Sequence, residues 1–406
     1  MNSSPDKTGR KETPASIMTV PTECELMHRL RQSPGLFDLL RASFGSELHV
    51  QDRLRREFPA ELVRAACELA ELRHKAAGRF SRAGQMWFDR RRLEQSTSER
   101  VARYKAKRFA GNVRDYCCGI GADTIALAEH CEVLAVDCAP AACLRTQWNA
   151  EVYGVAASLR TVCADVTTLT PGAELVHIDP DRRPGRGGRT IRIEEAVPGL
   201  EFLRSMMQSF RGGAIKLSPA GNFTGKFPAA EIELVSLDGE CKEATVWFGE
   251  LAEPELWRAT ILPQNATLAG RPLESYSEVG PVGRYLYDPD PAVVRSGLLD
   301  LLAEQTGLYR TDADEEYLTS DRLIDSPFVR AFAVLDVLPN NTRAIRQAVR
   351  RAEIGQIEIK CRRIPIRPET IRGGLPLSGS RPGVLVFARC AGKARAVLCR
   401  RISRRQ

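Results

Sequence analysis

The stretch Asp115-Tyr116-Cys117-Cys118-Gly119-Ile120-Gly121-Ala122-Asp123 decides the fold of this 406-residue chain. It follows a short β-type run, Val113 to Cys117, and opens a helix-length segment. The two glycines allow the backbone to approach a ligand closely, and a helix that starts there favours a polar or anionic group. The pattern predicts a nucleotide-type pocket at the carboxyl end of a parallel sheet. Thr124 replaces the third glycine of a dinucleotide fingerprint, which argues against an NAD cofactor.

Short β-type runs alternate with helix-length segments after residue 111, which predicts βαβ units and a mainly parallel sheet. The predicted strands are Val113 to Cys117, Glu132 to Asp137, Ser158 to Cys163, Glu174 to Asp179 and Ala214 to Leu217. The predicted helices lie near Ala122 to His130, Ala141 to Tyr153 and Glu194 to Phe210. Two further runs flank a Leu237-Asp238-Gly239 turn and predict an antiparallel hairpin. This α/β arrangement matches the Rossmann-like plan of methyltransferases.

The chain divides into five predicted parts. Residues 1–20 are polar and predict a disordered tail, not a secretory signal. Residues 21–110 carry apolar side chains three and four positions apart, which predicts an α-helical N-terminal region. The predicted methyltransferase domain covers residues 111–250, and a connecting region rich in Pro, Gly and Asp covers 251–330. A small basic α+β C-terminal domain is predicted for residues 331–406.

Three kinds of sequence feature are missing, and we use this to predict the protein's cellular compartment and the kinds of site it contains. Apolar runs such as Val133 to Val136 are far shorter than the about 20 residues of a membrane-spanning helix, so we expect no transmembrane segment. The twelve cysteines lack the spacing of a small disulfide framework, which predicts free thiols in a reducing, cytoplasmic compartment. No paired CxxC units occur and the five histidines are far apart, so we expect no metal site.

Acidic residues end three successive predicted strands. Asp137 closes the second strand, where a carboxylate can accept hydrogen bonds from both ribose hydroxyls of an adenosine. Asp165 follows the third strand and is placed to meet the adenine amino group. Asp179 closes the fourth strand at a break formed by Pro180, where a methyl donor would meet its acceptor. A carboxylate there can orient the nucleophile or take its proton, so Asp179 and Pro180 are the predicted catalytic residues.

Basic residues concentrate in two regions that flank a near-neutral or acidic middle. Residues 341–406 hold 17 Lys and Arg against 3 Asp and Glu. Residues 79–110 hold ten Lys and Arg against three acids and interleave aromatic side chains. Such clusters are typical of a polyanion binder, so we expect both regions to contact nucleic acid. The predicted nucleic-acid contacts are Arg182, Arg183, Lys360, Arg362 and Arg363.

Five motifs carry a resemblance to a known family over nearly the whole chain. They are FSRAGQMWFDRRRLEQSTS at 80–98, CCGIGADTIAL at 117–127, DPDRR at 179–183, GPVGRYLY at 280–287 and YLTSD at 317–321. On these motifs the chain resembles the class I methyltransferases known in bacteria as THUMP-like domain proteins. Residues 117–155 are also similar to RNA cap guanine methyltransferases of the trimethylguanosine synthase type.

The resemblance implies S-adenosylmethionine as cofactor, RNA binding by the C-terminal domain and a guanine amine as acceptor. It implies that the residues lining the cofactor are Asp115, Gly119, Gly121, Asp137 and Asp165, and Cys117 is expected to add backbone contacts. The function expected is therefore methyl transfer from S-adenosylmethionine to RNA. Two alternatives stay open: a non-catalytic RNA-binding protein on a methyltransferase scaffold, and a methyltransferase acting on a protein or small molecule.

The residues around the Pro180 break leave the methylated atom open. Amine-methylating enzymes have a proline and an aromatic where this chain has Asp181 and Arg182, so stacking on a flipped base must come from elsewhere. Enzymes that form 5-methyluridine use a cysteine after the fifth strand, where this chain has Ser218, which disfavours a covalent cysteine mechanism. Lys216, at the end of that strand, either contacts a phosphate or only extends from the sheet.

Overall fold

The computed structural model describes residues 22–42, 54–172, 174–182 and 192–402. The predicted tail, residues 1–20, lies outside these ranges. Contacts divide the chain into two units, Met1–Lys75 and Ala76–Gln406. Within the described ranges, no helix is long and apolar enough to cross a membrane.

The first unit is helical where it is described. It contains α1 (Glu23–Arg31), α2 (Pro34–Ala42) and α3 (Ala60–Ala76), the last of which ends at the unit boundary. Thr22 starts α1 with a capping box, because its side chain accepts from the Glu25 N–H while the Glu25 carboxylate accepts from the Thr22 N–H. The predicted helical character of this region is confirmed.

The second unit mixes helices with strands, numbered here along the chain. The helices are α4 (Arg90–Gln95), α5 (Glu99–Ala106), α6 (Ala122–Ala128), α7 (Pro140–Tyr153), α8 (Leu200–Ser209), α9 (Pro291–Arg295), α10 (Leu299–Thr306), α11 (Thr342–Arg351) and α12 (Pro368–Gly373). The strands are β1 (Gly111–Tyr116), β2 (Cys131–Asp137), β3 (Leu159–Cys163), β4 (Leu175–Ile178), β5 (Asp181–Arg182), β6 (Ala196–Val197), β7 (Gly212–Leu217), β8 (Glu231–Leu237), β9 (Glu240–Gly249), β10 (Trp257–Leu262), β11 (Ala266–Gly270), β12 (Tyr285–Pro289), β13 (Tyr309–Arg310), β14 (Leu318–Ser320), β15 (Val329–Pro339), β16 (Ile354–Cys361), β17 (Arg381–Cys390) and β18 (Lys393–Arg401).

The first large sheet has the strand order β11-β10-β8-β9-β7-β4-β1-β2-β3. Strands β3, β2, β1, β4 and β7 are parallel, and β9 runs antiparallel between β7 and β8. All four residues of β4 are buried, as expected for a central parallel strand covered on both faces. This topology confirms the predicted Rossmann-like methyltransferase sheet with its antiparallel hairpin.

The segment 251–330 is more than a connection. Its strands β10 and β11 extend the first sheet, because β10 pairs in parallel with the free side of β8 and β11 folds back on β10. Its strands β12, β13 and β14 belong to a second sheet. From the sequence, this segment was interpreted as a connecting region. The structure differs, because the Pro, Gly and Asp clusters separate short strands whose pairing partners are distant in the chain.

The second sheet has the order β13-β14-β12-β15-β18-β17-β16. Its strands β15, β18 and β17 are antiparallel neighbours, and β16 pairs in parallel with β17. Helix α11 packs on this sheet through Ile345, Ala348 and Val349, which are buried with Leu385 and Leu398. This is the α+β C-terminal fold that the sequence predicts, enlarged by strands that precede residue 331.

The first sheet positions the candidate site. Strands β1, β2, β3, β4 and β7 run in one direction, so their carboxyl ends meet at one edge. In open α/β sheets, ligands bind outside this edge. The turn after β1 and the predicted acidic residues after β2, β3 and β4 therefore lie at the same edge.

Candidate functional site

A tight turn joins β1 to α6. Cys117, Gly119 and Gly121 have φ angles of 59°, 62° and 81°, the left-handed region that glycine adopts without strain. A Cβ atom at Gly121 would lie 3.0 Å from Cγ2 of Thr146, so α7 leaves no room for a side chain there. At Gly119 the corresponding distance, to Cδ of Arg92, is 3.9 Å. Glycine at 121 therefore lets the turn pack closely against α7, and Cys117 takes part through its backbone conformation.

The carboxylate of Asp137 is tied to the turn. Its Oδ2 accepts from the Gly119 N–H at 3.0 Å, and its Oδ1 accepts from the Ala139 N–H at 2.9 Å. The residue is 8% exposed at the carboxyl end of β2. Each carboxylate oxygen can accept more than one hydrogen bond, so capacity remains for ribose hydroxyls. One residue thus fixes the glycine turn and can hold a nucleoside sugar.

Asp115 is placed beneath the turn. It is 1% exposed, its Oδ2 accepts from the Thr124 hydroxyl, and its Oδ1 lies 2.7 Å from Nδ1 of His177. These contacts link β1, α6 and β4. The carboxylate is thus enclosed by protein groups and supports the turn from below, and its predicted place in the lining of the cofactor pocket stays a prediction.

Asp165 lies at the end of β3, next to Asp137. The register pairs Asp137 with Cys163, so Asp165 follows on the neighbouring strand end. Its Oδ1 accepts from the Thr167 N–H at 2.9 Å and from the Thr167 hydroxyl at 2.7 Å. These bonds lower the pKa of Asp165, which is exposed and stays charged. The position is compatible with an adenine amino contact, and that role stays a prediction.

Asp179 and Lys216 form an ion pair at the predicted acceptor position. The Nζ of Lys216 lies 2.6 Å from Oδ2 of Asp179 and donates to the Gln95 carbonyl at 3.1 Å. Burial raises the pKa of Asp179, although the Lys216 charge opposes that effect. The Asp179 side chain keeps 33% of its surface exposed, and Pro180 behind it is buried and ends β4. Sequence reasoning did not pair Lys216 with Asp179.

The segment that contains α4 lies against the glycine turn. Asn149 of α7 accepts from the Trp87 N–H at 2.7 Å and donates to the Trp87 and Ile120 carbonyls at 3.0 and 2.9 Å. The Gln95 carbonyl at the end of α4 meets Lys216. Sequence reasoning missed Asn149, although an amide within the otherwise apolar Trp148-Asn149-Ala150 stretch is a recognisable signal.

A buried charge cluster lies behind the Asp179–Lys216 pair. The Nζ of Lys105 is 2.9 Å from Asp123 and 2.7 Å from Glu243. The Thr97 hydroxyl donates to Asp123 at 2.6 Å. Burial acts to raise the pKa of Asp123, but the charges of Lys105 and Lys216, with His177 and the Thr97 hydrogen bond, together outweigh burial and hold this pKa well below its ordinary value. The cluster joins α5, α6 and β9 around charged groups.

The basic stretch 79–110 is only partly internal, and the expectation that its exposed arginines and lysines contact nucleic acid stays a prediction. Its aromatic side chains Phe80, Trp87, Phe88 and Phe109 are buried. Arg103 pairs with Glu129 at 2.7 Å. Arg108 pairs with Glu231 at 2.9 Å and stacks 4.4 Å from the centre of the Trp247 ring. Arg103 and Arg108 thus neutralise carboxylates of the protein.

The arginines after the Pro180 break stay predictions. Arg183 lies outside the described residues, and the side chain of Arg182 is likewise outside the description. The preceding residue, Asp181, forms an ion pair with Arg91 and accepts from the Gln95 side chain at 3.3 Å. The start of this segment is thus anchored to α4.

All three predicted nucleic-acid contacts in the C-terminal domain form ion pairs with acidic side chains. Arg362 pairs with Asp288 at 2.7 Å and with Glu316 at 2.9 Å, and Lys360 pairs with Asp288 at 2.9 Å. Arg363 meets Glu316 at 3.0 Å but keeps 54% of its side chain exposed. These contacts argue against direct nucleic-acid binding by Lys360 and Arg362 and leave Arg363 the more accessible group.

A row of exposed arginines lies on α11. Arg343, Arg346 and Arg350 are three and four residues apart, so they share one face of the helix. The opposite face carries the buried Ile345 and Val349. Within the part of the chain that the structure describes, none of the three arginines forms an ion pair. We call these three residues the α11 arginine row; the sequence contained them only as part of a basic region.

Three family models match the chain. The THUMP domain-like family matches residues 329–401, and the RNA cap guanine-N2 methyltransferase family matches residues 110–195. A domain of unknown function matches residues 25–76. The first two matches fall on the second sheet and on the cofactor half of the first sheet.

Similar proteins span most of the chain. An uncharacterized S-adenosylmethionine-dependent methyltransferase of Mycobacterium tuberculosis strain CDC 1551 is 32% identical over 335 residues, which cover 79% of this chain and 91% of the relative. A protein of the same description from strain H37Rv matches equally. A solved structure from Porphyromonas gingivalis W83, described as a methyltransferase candidate, aligns with a TM-score of 0.73 and 18% identity over 95% of this chain and 100% of that chain. That likeness bears on the fold alone.

Proposed function

This chain belongs to the S-adenosylmethionine-dependent methyltransferases, and from that premise we propose that it transfers a methyl group from this cofactor to RNA. The cofactor, when bound, supplies an electrophilic methyl group on a sulfonium sulfur. The protein binds the cofactor, holds the acceptor atom in line with the methyl group and accepts the proton that the acceptor loses.

The carboxyl edge of the first sheet fits the cofactor. The turn at Gly119 and Gly121 has left-handed φ angles, and at Gly121 a Cβ would collide with Thr146 of α7. Asp137 has acceptor capacity for the ribose, and Asp165 lies on the adjacent strand end for the adenine. The cofactor roles of Gly119, Gly121, Asp137 and Asp165 are thus supported by position and by donor and acceptor chemistry.

The α11 arginine row is the observation that carries the RNA assignment. Its three exposed guanidinium groups lie about one helical turn apart and can each meet a backbone phosphate. The row lies within the THUMP domain-like match, and the cofactor half matches an RNA cap guanine-N2 methyltransferase family. Both matches favour RNA over a protein or small-molecule acceptor.

RNA binding at several salt concentrations tests this assignment. A triple variant that combines Arg343→Ala, Arg346→Ala and Arg350→Ala should bind RNA with a weaker salt dependence. The plot of log affinity against log salt should become less steep by about 2, since each contact to single-stranded nucleic acid contributes about 0.7. Methyl transfer to RNA should fall with it, while S-adenosylmethionine affinity stays unchanged. The control replaces Arg160, Arg211 and Arg271, three exposed arginines on or next to strands β3, β7 and β11 of the first sheet.

Unchanged salt dependence in the α11 variant would remove the arginine row from the proposal. A wild-type protein whose RNA affinity is flat between low and moderate salt would contradict RNA binding as a whole. Substitution is preferable to deletion after Arg330, because that cut would divide β15 and expose the centre of the second sheet.

A further inference from the structure

Lys216 joins Asp179 to the end of helix α4. Their neighbours Ile215 and Ile178 are paired in the sheet, so the two residues follow side by side at the ends of β7 and β4. The Nζ of Lys216 donates to Oδ2 of Asp179 at 2.6 Å and to the carbonyl of Gln95, the last residue of α4, at 3.1 Å. One buried ammonium group therefore connects two strand ends with the helix that lies against the glycine turn.

The carboxylate of Asp179 is held through one of its two oxygens. The backbone N–H of Asp179 donates to the Tyr116 carbonyl of β1 at 3.2 Å, which fixes the residue beside the glycine turn. Lys216 fixes Oδ2, whereas no group among the described residues hydrogen-bonds to Oδ1. The side chain keeps 33% of its surface exposed, so Oδ1 retains the capacity to accept a hydrogen bond from a methyl acceptor.

The end of α4 contacts the chain on both sides of Pro180. The Gln95 side chain donates to Oδ1 of Asp181 at 3.3 Å, and Arg91 forms an ion pair with the same carboxylate. On the other side of the proline, the Gln95 carbonyl reaches Asp179 only through Lys216. Lys216 is therefore the link between this helix and the predicted proton acceptor.

The ion pair belongs to a buried cluster with one more carboxylate than ammonium groups. Its members are the carboxylates of Asp179, Asp123 and Glu243 and the ammonium groups of Lys216 and Lys105. Lys105 pairs with Asp123 and Glu243, so Asp179 would be the carboxylate left without a cation if Lys216 were removed. The groups that face Asp179 are Lys216, Asp123, His177 and Cys117.

The charge of Lys216 favours the ionised form of Asp179. Burial raises the pKa of Asp179, and the Lys216 charge opposes that effect. An opposite charge at this distance lowers the pKa of a carboxyl group by about 1 to 3, so Asp179 would take up a proton at a higher pH without Lys216. A carboxyl group that is already protonated cannot accept the proton of the methyl acceptor.

We propose that Lys216 is a positioning residue for methyl transfer: it holds Asp179 as a carboxylate, with Oδ2 fixed and Oδ1 open to the acceptor. Lys216 itself neither gives nor takes a proton in this role. The role is the same whether the methylated RNA atom is a nitrogen or an oxygen, because it concerns the charge and orientation of Asp179. This inference rests on the proposed function and on Asp179 as the group that accepts the acceptor proton.

A double-variant comparison tests whether Lys216 acts through Asp179. RNA from cells deleted for this chain is incubated with the protein and S-adenosylmethionine carrying a tritiated methyl group, in single-turnover assays at neutral pH. Lys216→Gln should lower the rate by about 10- to 100-fold, within the contribution of a positioned base, while calorimetry shows unchanged S-adenosylmethionine affinity. Asp179→Asn should also be slow, and adding Lys216→Gln to it should cost nothing further.

The double variant also separates this role from a loss of folding. Asp179→Asn with Lys216→Gln removes one negative and one positive charge, so the cluster keeps the net charge of the wild type. A Lys216→Gln effect that multiplies in full with that of Asp179→Asn would overturn the inference, as would a wild-type rate in Lys216→Gln. RNA that the wild-type protein leaves without label would refute the proposed function, and the inference with it.

The pH dependence of the single-turnover rate gives a readout that a structural role alone would not change. The rate should fall as the pH drops and Asp179 is protonated, and Lys216→Gln should move this fall upward by about 1 to 3 pH units. Lys216→Arg, which keeps the charge, should return the fall towards its wild-type position. Lys242→Gln, which removes an exposed lysine of β9, is the control and should change neither the rate nor the profile. The same profile in wild type and Lys216→Gln would overturn the inference and leave RNA methylation standing.

Discussion

Replacing Asp137 with Ala should weaken the binding of S-adenosylmethionine by about 1 to 3 kcal/mol, or about 5- to 150-fold in Kd. The substitution removes a charged acceptor for the ribose hydroxyls. It also removes the bonds from the Gly119 and Ala139 amides, 3.0 and 2.9 Å long, that hold the glycine turn in place. Because both effects act on the same pocket, we expect a loss in the upper part of this range.

Calorimetric titration with S-adenosylmethionine and with S-adenosylhomocysteine measures this effect. Both ligands contain the ribose and should lose affinity equally, whereas a defect confined to the methyl end would separate them. Glu132→Ala is the matched control, since it removes an exposed carboxylate from the same strand. If Asp137→Ala binds both ligands within about twofold of the wild type, the ribose role of Asp137 is refuted.

Three further predictions concern the turn and the charge cluster. Gly121→Ala should weaken cofactor binding, measured by calorimetry, because its Cβ would lie 3.0 Å from Thr146. The control Gly154→Ala has a similar φ but open space around the new Cβ. It should lower only the stability, measured by thermal melts, and leave cofactor affinity unchanged. Lys105→Met should lower the free energy of unfolding, measured by urea denaturation, by about 3 to 5 kcal/mol, because two buried carboxylates lose their cation. The control Lys107→Met replaces an exposed lysine and should change this free energy by less than about 0.5 kcal/mol. The lowered pKa of Asp123 stabilises the fold above the unfolded pKa of about 3.9, so stability should fall as the pH drops below about 4; a urea midpoint unchanged from pH 5 to pH 3 would contradict this.

Most of the first sheet could be predicted from the sequence. Period and glycine placement predicted β1, the turn at Gly119 and Gly121 and the start of α6, because these features depend on neighbours in the chain. The buried run of β4 and its end at Asp179 were predicted for the same reason. The strands β10 and β11 were not, because their pairing depends on an open edge of β8 that sequence spacing does not reveal.

Charge was the less reliable guide to the site. A basic residue in sequence gives no sign of whether a carboxylate faces it, so the whole stretch 79–110 was expected to contact nucleic acid, although Lys105 and Arg108 within it neutralise buried acids. The same limitation hid the pairing of Arg362 with Asp288. The α11 arginine row became distinct only when the helix face that packs on the second sheet was known.

The most direct test of the central claim is the transfer of tritiated methyl from S-adenosylmethionine to the macromolecules of an extract from cells deleted for this chain. The account predicts label that ribonuclease releases and that protease and deoxyribonuclease leave intact. Label that protease releases and ribonuclease leaves intact would contradict an RNA substrate and identify a protein methyltransferase.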